Sequence, residues 1–484
     1  MQVSKRFVLY ILPALVSTVL ALATLPLTTY LLDPADFGLL ALAWSVVSIG
    51  TLVSQVGAGF LLAAHFPLVD MHEKREMLST LTFVSMGVVL AFCLAILAFW
   101  PWIISWLDEL LLLPQGGLAL LLLSLVFLGP WGIASQILII DRRARPFAYY
   151  SIGESVSRTV AVLVSLYVFD LGVLALFVAS AAGQAVLFLG AIMVLGPYLR
   201  PVVSVKWLKE ITRLGSVTSI GNFVEQAQRS LESVLLGSFS GLSSLGLYAH
   251  SLRYREVTMM AMRAFGYSIW PDTLEEAREL ESDFPKTKLG WWSIQILVIL
   301  FGLFFATLGK QLIALLTHDK FTDAYVLVAL STIMVLIKTA GRPALGILFT
   351  LKQATILTIL TFVMLFVSLP ILLLTVPSIG ALGVILSLVV QFAIHRIAVQ
   401  LYAARFHKIP FQDVWVIYGS VLVAITAGIS GLLDLDLLQN SLLFTVMSGL
   451  LVLVARSTVV GLIAHGWEFL KSLRTLGAGI TLVQ

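Results

Sequence analysis

The chain has 484 residues, of which 59% are hydrophobic and 12% charged, with a formal net charge of +4 and a mean hydropathy of +1.01. Soluble domains carry about 25% charged and roughly 45–50% apolar residues, so a water-soluble globular fold is excluded. One cysteine, Cys93, leaves no intrachain disulfide or thiolate metal cluster, and the seven histidines show no ligand spacing. No metal, cofactor or nucleic-acid partner is expected.

A window of about 19 residues predicts about fourteen apolar spans. The first six fall near 8–32, 39–66, 79–100, 117–140, 149–169 and 173–195. The next six fall near 214–238, 246–269, 291–316, 325–349, 354–376 and 380–402, and the last two near 412–432 and 441–464. Lys5 and Arg6 precede the first span, whose apolar run outlasts the ~7–15 residues of a signal peptide. Pro13 and Pro26 predict a bend in it, and Pro343 a kink in the tenth. With a cytoplasmic N-terminus, 19 of the 30 lysines and arginines lie in cytoplasmic segments and only Lys310 and Lys320 outside. That asymmetry predicts two cytoplasmic termini. No loop exceeds about 20 residues, which leaves no room for a soluble catalytic domain.

A faint repeat joins the halves. Asp36-Phe37-Gly38-Leu39-Leu40-Ala41 is similar to Ser244-Leu245-Gly246-Leu247-Tyr248-Ala249, and Phe66-Pro67 to Trp270-Pro271. The expected architecture is therefore all-α and polytopic: two six-helix lobes in parallel repeat (residues 1–200 and 201–410) plus two further helices and a cytoplasmic tail (411–484). A central cleft is expected between the first and seventh helices.

The stretch Leu31-Leu32-Asp33-Pro34-Ala35-Asp36-Phe37-Gly38 resembles the first external turn of the polysaccharide-biosynthesis flippases. These are the O-antigen and exopolysaccharide flippases of the multidrug/oligosaccharidyl-lipid/polysaccharide exporter superfamily. Gly57-Ala58-Gly59 also fits. The resemblance implies fourteen spans in a bacterial cytoplasmic membrane. It also implies outward flipping of undecaprenyl-pyrophosphate-linked oligosaccharide by alternating access, among membrane lipids and alongside a polymerase and glycosyltransferases. It implies no enzyme activity. In the turn itself, Pro34 is expected to stop the first helix and Gly38 to let the chain reverse.

Charges inside spans cost about 2.5–3.5 kcal/mol each, so they tend to face a bundle interior or a wet cavity. The seventh span places Thr218, Asn222, Glu225, Arg229 and Glu232 on one helical face. The fifth carries Glu154 and Arg158. The eighth carries His250, Arg253, Arg255, Glu256 and Arg263, and the tenth carries Lys338 and Arg342. Arg396 and Arg456 lie near the cytoplasmic boundary and are read as snorkelling. The deep set is predominantly basic, which attracts anions in a low-dielectric surround. Expected substrate-binding residues are Arg158, Arg229, Arg253, Lys338 and Arg342. Expected ion-coupling or charge-neutralising residues are Glu154, Glu225, Glu232 and Glu256. An ion-coupled multidrug or other small-molecule exporter is the alternative, and a membrane-embedded oligosaccharide polymerase or ligase a lower one. A basic interior disfavours cationic drugs, and polymerases and ligases normally carry a long external loop.

Overall fold

The computed structural model describes residues 2–55, 58–66, 68–141, 143–212, 216–277, 284, 287–351, 354–406, 414–433 and 435–455. No strand occurs among them, and ten of their helices are long and apolar enough to cross a membrane. A helix satisfies its own backbone polar groups, which hydrocarbon requires of any spanning segment.

Helix α1 (Gln2–Leu31) continues through Pro13 and Pro26. Around Pro26, hydroxyls of Thr24, Thr28 and Thr29 donate back to the carbonyls of Leu20, Thr24 and Leu25 at 2.8–3.0 Å. Those bonds keep the polar groups of the span satisfied. The chain leaves α1 at Leu31, and Pro34 opens α2 (Pro34–Gln55), a position where its missing N–H costs nothing. The Asp33 N–H donates to the Asp36 carboxylate at 2.8 Å and closes the turn. Gly38 thus lies inside α2 rather than in the reversal expected of it, and its role is packing. Helix α3 (Ala58–His65) completes the second predicted span.

Helix α4 (Met71–Trp106) is capped by Asp70, whose carboxylate accepts the Glu73 N–H at 2.8 Å. Its 36 residues reach about 54 Å at ~1.5 Å each, far past a ~30 Å hydrocarbon core. The window captured only its apolar middle. Helices α5 (Gly117–Ile140), α6 (Ala144–Tyr167) and α7 (Leu174–Leu195) match three predicted spans closely. Small buried residues of α7 (Ala179, Ser180, Gly183, Gly190 and Ala191) let it pack against both α5 and α6. A short helix, α8 (Val205–Glu210), buries Trp207.

Helix α9 (Ser216–Glu276) holds the seventh and eighth predicted spans, broken at Gly241, which adopts φ 80°. Only glycine takes that backbone cheaply. Then follow α10 (Lys288–Thr307), α11 (Gly309–Thr317), α12 (Ala324–Ala340) and α13 (Arg342–Thr350). The break at Gly341 realises the kink expected of Pro343, which cannot donate to the helical carbonyl four residues back. Helices α14 (Ala354–Ile379), α15 (Ala381–Ala403), α16 (Val414–Leu433) and α17 (Leu437–Val454) end the described chain. An Asp436–Gln439 capping box starts α17.

The helices group into two units. The first comprises residues 1–250, 314–321 and 361–384, and the second comprises 251–313, 322–360 and 385–484. In the first, Leu61, Leu62, Met77, Ile133, Ile137 and Trp207 anchor a buried apolar cluster. In the second, α10, α12 and α16 pack closely: Gly302 faces Thr332 and Val423, and Gly419 faces Ile299 and Leu336. The Ser430 hydroxyl donates to the Asn440 side chain at 2.9 Å and ties α17 to α16.

Candidate functional site

The expected site residues divide between the units. Glu154, Arg158, Glu225, Arg229 and Glu232 belong to the first, and Arg253, Glu256, Lys338 and Arg342 to the second.

In the first unit, Glu154 and Arg158 form an ion pair one turn apart on α6. The Glu154 side chain is 14% exposed and that of Arg158 50% exposed. Ser155 donates a further hydrogen bond to Glu154 Oε2 at 3.1 Å. Gly183 of α7 makes room for the pair, since a Cβ there would lie 3.2 Å from Glu154 Oε1. This spacing of opposite charges was legible from the sequence.

The stripe on the first half of α9 divides. The side chains of Thr218, Asn222 and Glu225 lie outside the described residues, Arg229 is exposed and Glu232 is buried. Glu232 Oε1 accepts from Gln228 Nε2 and Oε2 from the Tyr248 hydroxyl, each at 3.1 Å. The Tyr248 bond reaches across the Gly241 break, so the carboxylate ties the two halves of α9 together. Helical periodicity could not reveal it, because Tyr248 lies 16 residues on. Gln226 also donates to the Ser48 hydroxyl of α2 at 2.8 Å.

The external-turn motif is structural. Phe37 packs edge-on against His250 and Phe321, whose rings stack with centroids 4.2 Å apart. Lys320 pairs with Asp33 at 2.9 Å and donates to the Tyr30 carbonyl at 3.2 Å. These contacts account for an acid and an aromatic at this turn without a ligand.

In the second unit, Arg253 and Arg255 on α9 are half-buried and Glu256 is exposed, while the Arg263 side chain lies outside the described residues. Lys338, half-buried on α12, holds its ammonium 5.2 Å from the Phe392 ring centroid. Arg342 is half-buried at the start of α13. Arg396 is 8% exposed and lies beside Gly341, where an added Cβ would be 3.6 Å from its Cγ. Arg396 is therefore embedded against α12 and does not snorkel. The sequence reading missed it, because distance from a span end says nothing about which face a side chain occupies.

Among the described residues, no group of three or more His, Cys, Asp or Glu is placed to hold a metal ion. A chain whose described residues hold ten candidate spans and no strand, with charged side chains inside some of those helices, is a polytopic membrane protein. A family model described as polysaccharide biosynthesis protein matches residues 28–269, half of the chain. The chain belongs to that family. No curated protein matches it. Its fold is similar to that of the lipid II flippase MurJ in an inward closed conformation (TM-score 0.70, 13% identity, covering 93% of this chain and 100% of that one). It is also similar to an inward-facing multidrug resistance MATE family transporter of the MOP superfamily (0.63, 14%, 86% and 96%). A third likeness is to a MOP superfamily transporter from Pyrococcus furiosus (0.53, 15%, 82% and 94%). The fold recognised from the first external turn is thereby borne out.

Proposed function

We propose that this protein flips an undecaprenyl-pyrophosphate-linked oligosaccharide outward across the bacterial cytoplasmic membrane by alternating access, with both termini cytoplasmic and no catalytic step of its own. The observation that carries the reading is the retention of Arg158, Arg229, Arg253, Lys338 and Arg342 inside the spans of a polysaccharide-biosynthesis family chain. Basic groups at that depth set up a field that suits a diphosphate headgroup, with Glu154 offsetting part of it at Arg158. The lipid II flippase likeness supports the substrate class. The acids Glu154, Glu225, Glu232 and Glu256 balance part of the basic charge or couple to an ion. We assign the lobes to residues 1–200 and 201–410, with 411–484 appended, and Gly38 and Gly246 meeting as counterparts supports that repeat. Complementation of a strain lacking its own flippase, scored by surface glycan at matched expression, tests the reading. Restored glycan supports it, and drug resistance without glycan would favour the multidrug alternative.

A further inference from the structure

The connection from α7 to α9 carries exposed apolar side chains beyond the end of a span. In residues 199–209, Leu199, Val202, Val203, Val205 and Leu208 are exposed, Val203 by 53% and Val205 by 66%. The same stretch holds three exposed basic residues, Arg200, Lys206 and Lys209, and no acid. Its backbone is fastened on the opposite side. The Arg200 N–H donates to the Ser79 hydroxyl at 2.8 Å, and the Ser204 N–H to the Thr80 hydroxyl at 2.9 Å. Ser79 in turn donates to the Tyr198 carbonyl at 3.3 Å. Trp207 is buried in the apolar cluster of the first unit, and Lys206 pairs with Glu73. With one side committed to α4 and the cluster, the valines cannot turn inward.

Helix α6 shows where the bilayer edge runs. Tyr149, Val156, Val160 and Tyr167 stand at i, i+7, i+11 and i+18 on one helical face, and all four are exposed. Outward valines between two tyrosines are the pattern of a lipid-facing surface with an aromatic belt at each end. The tyrosines lie about 27 Å apart by helical rise, close to the thickness of a hydrocarbon core. Tyr149 therefore marks one edge. Its neighbours Phe147 and Tyr150 pack against the cluster that contains Trp207. Ser79 and Thr80, which fasten the connection, follow the charged residues 72–76 of α4 by about a turn. Both markers put residues 199–209 at the level of the lipid headgroups.

We infer that residues 199–209 form a surface segment that binds anionic lipid. Val203, Val205 and Leu208 enter the boundary between headgroups and acyl chains, while Arg200 and Lys209 hold headgroup phosphates, the arginine by its planar fork. Lys206 is engaged by Glu73 and adds less. An acidic soluble protein would match the charge, but it would leave the valines in water whenever it was absent. A lipid surface covers them at all times and matches their depth. The leaflet is the cytoplasmic one in the topology proposed above, and the contact itself does not depend on what the protein transports. The segment joins the two proposed lobes, so anionic lipid holds that connection at the membrane surface.

The test attaches a fluorophore at Val205→Cys in the full chain, on a Cys93→Ser background, and reconstitutes it in nanodiscs of phosphatidylcholine. A minor share of the lipid is replaced by phosphatidylcholine or phosphatidylglycerol carrying a nitroxide quencher on its acyl chain. Both labelled lipids quench the probe, and aqueous iodide does not. Labelled phosphatidylglycerol quenches at a share about fivefold lower, or less, which is the preference that one or more basic groups confer. Arg200→Gln/Lys209→Gln removes the preference and keeps the quenching by both lipids. The same fluorophore at Val160→Cys, on the lipid-facing stripe of α6, is quenched equally by the two lipids with or without that double substitution. Thermal unfolding run beside these measurements shows that each variant is folded. Iodide reaching the Val205→Cys probe while neither lipid quenches it would overturn the membrane contact and leave the strip to a soluble partner. Equal quenching by the two lipids before the double substitution, or a preference that survives it, would overturn the assignment to Arg200 and Lys209.

Discussion

Gly38 and Gly246 meet as mirror positions of one helix crossing. A Cβ on Gly38 would overlap the carbonyl oxygen of Leu242, and a Cβ on Gly246 would overlap that of Pro34. Each overlapped carbonyl belongs to the residue four before the opposite glycine. Each added Cβ would also lie 3.1 Å from the other glycine's backbone nitrogen. This reciprocity is that of a local two-fold axis between α2 and the second half of α9. Backbones this close gain van der Waals and Cα–H···O contact, which drives helix association where apolar burial does not.

Gly38→Ala and Gly246→Ala each therefore force the crossing apart and cost about 1–3 kcal/mol, the usual range for overpacking. The unfolding midpoint in detergent falls for both. Gly38→Ala/Gly246→Ala costs less than the two singles together, because one opening of the crossing accommodates both methyls. Gly87→Ala, inside α4 with nothing near its Cβ, does not lower the midpoint and raises it slightly, since alanine is the better helix former. Strict additivity of the pair would contradict a shared crossing.

The span pattern was legible because a helix that crosses hydrocarbon must be apolar over its whole length, so α5, α7, α14 and α15 lie where the hydropathy window put them. One break was legible from Pro343, at Gly341, while the break at Gly241 falls in the gap between the seventh and eighth predicted spans. What hydropathy cannot see is the azimuth of a polar side chain about its helix. Arg396 was read as a snorkelling residue from its depth alone, yet its stem lies against Gly341. Glu232 was placed on a stripe with Arg229, yet its oxygens accept from Gln228 and from Tyr248 beyond the helix break. Gly38 was read as a turn residue, because its partner is 208 positions away in sequence.

Tyr248→Phe removes the hydrogen bond from Tyr248 to buried Glu232. Losing a buried intramolecular hydrogen bond costs about 0.5–1.5 kcal/mol. Glu232→Gln is milder than Glu232→Ala, as the amide oxygen still accepts from Tyr248. Thermal unfolding of the three variants checks the order, and a neutral Tyr248→Phe would show that the bond carries no stability.

Lys206 on α8 donates to Glu73 at 2.5 Å, and that hydrogen bond raises its pKa above the ordinary lysine value. A raised folded-state pKa stabilises fully below the unfolded value of about 10.5 and is lost as pH rises through the folded one. The effect of Lys206→Gln on unfolding is consequently the same at pH 7 and pH 9. The pair is exposed, so the effect is small and shrinks with added salt. A lysine effect that grew between pH 7 and 9 would contradict this assignment.

Lys338 separates charge from hydrogen-bonding shape in transport itself. Its ammonium sits over the Phe392 ring, so what it offers a substrate is a positioned point charge. Lys338→Arg keeps the charge and the cation–π contact, whereas Lys338→Gln keeps a polar group of similar reach and loses both. Losing one charge-assisted contact costs roughly 1.5–3 kcal/mol, or about 10- to 150-fold in affinity. Surface glycan in a flippase-deficient strain should therefore fall steeply for Lys338→Gln and much less for Lys338→Arg, with both proteins present in the membrane at wild-type levels. Lys206→Gln, outside the spans and exposed, exports normally. If Lys338→Gln exports as well as Lys338→Arg, the deep cation serves packing against α15 and the anion must be held elsewhere.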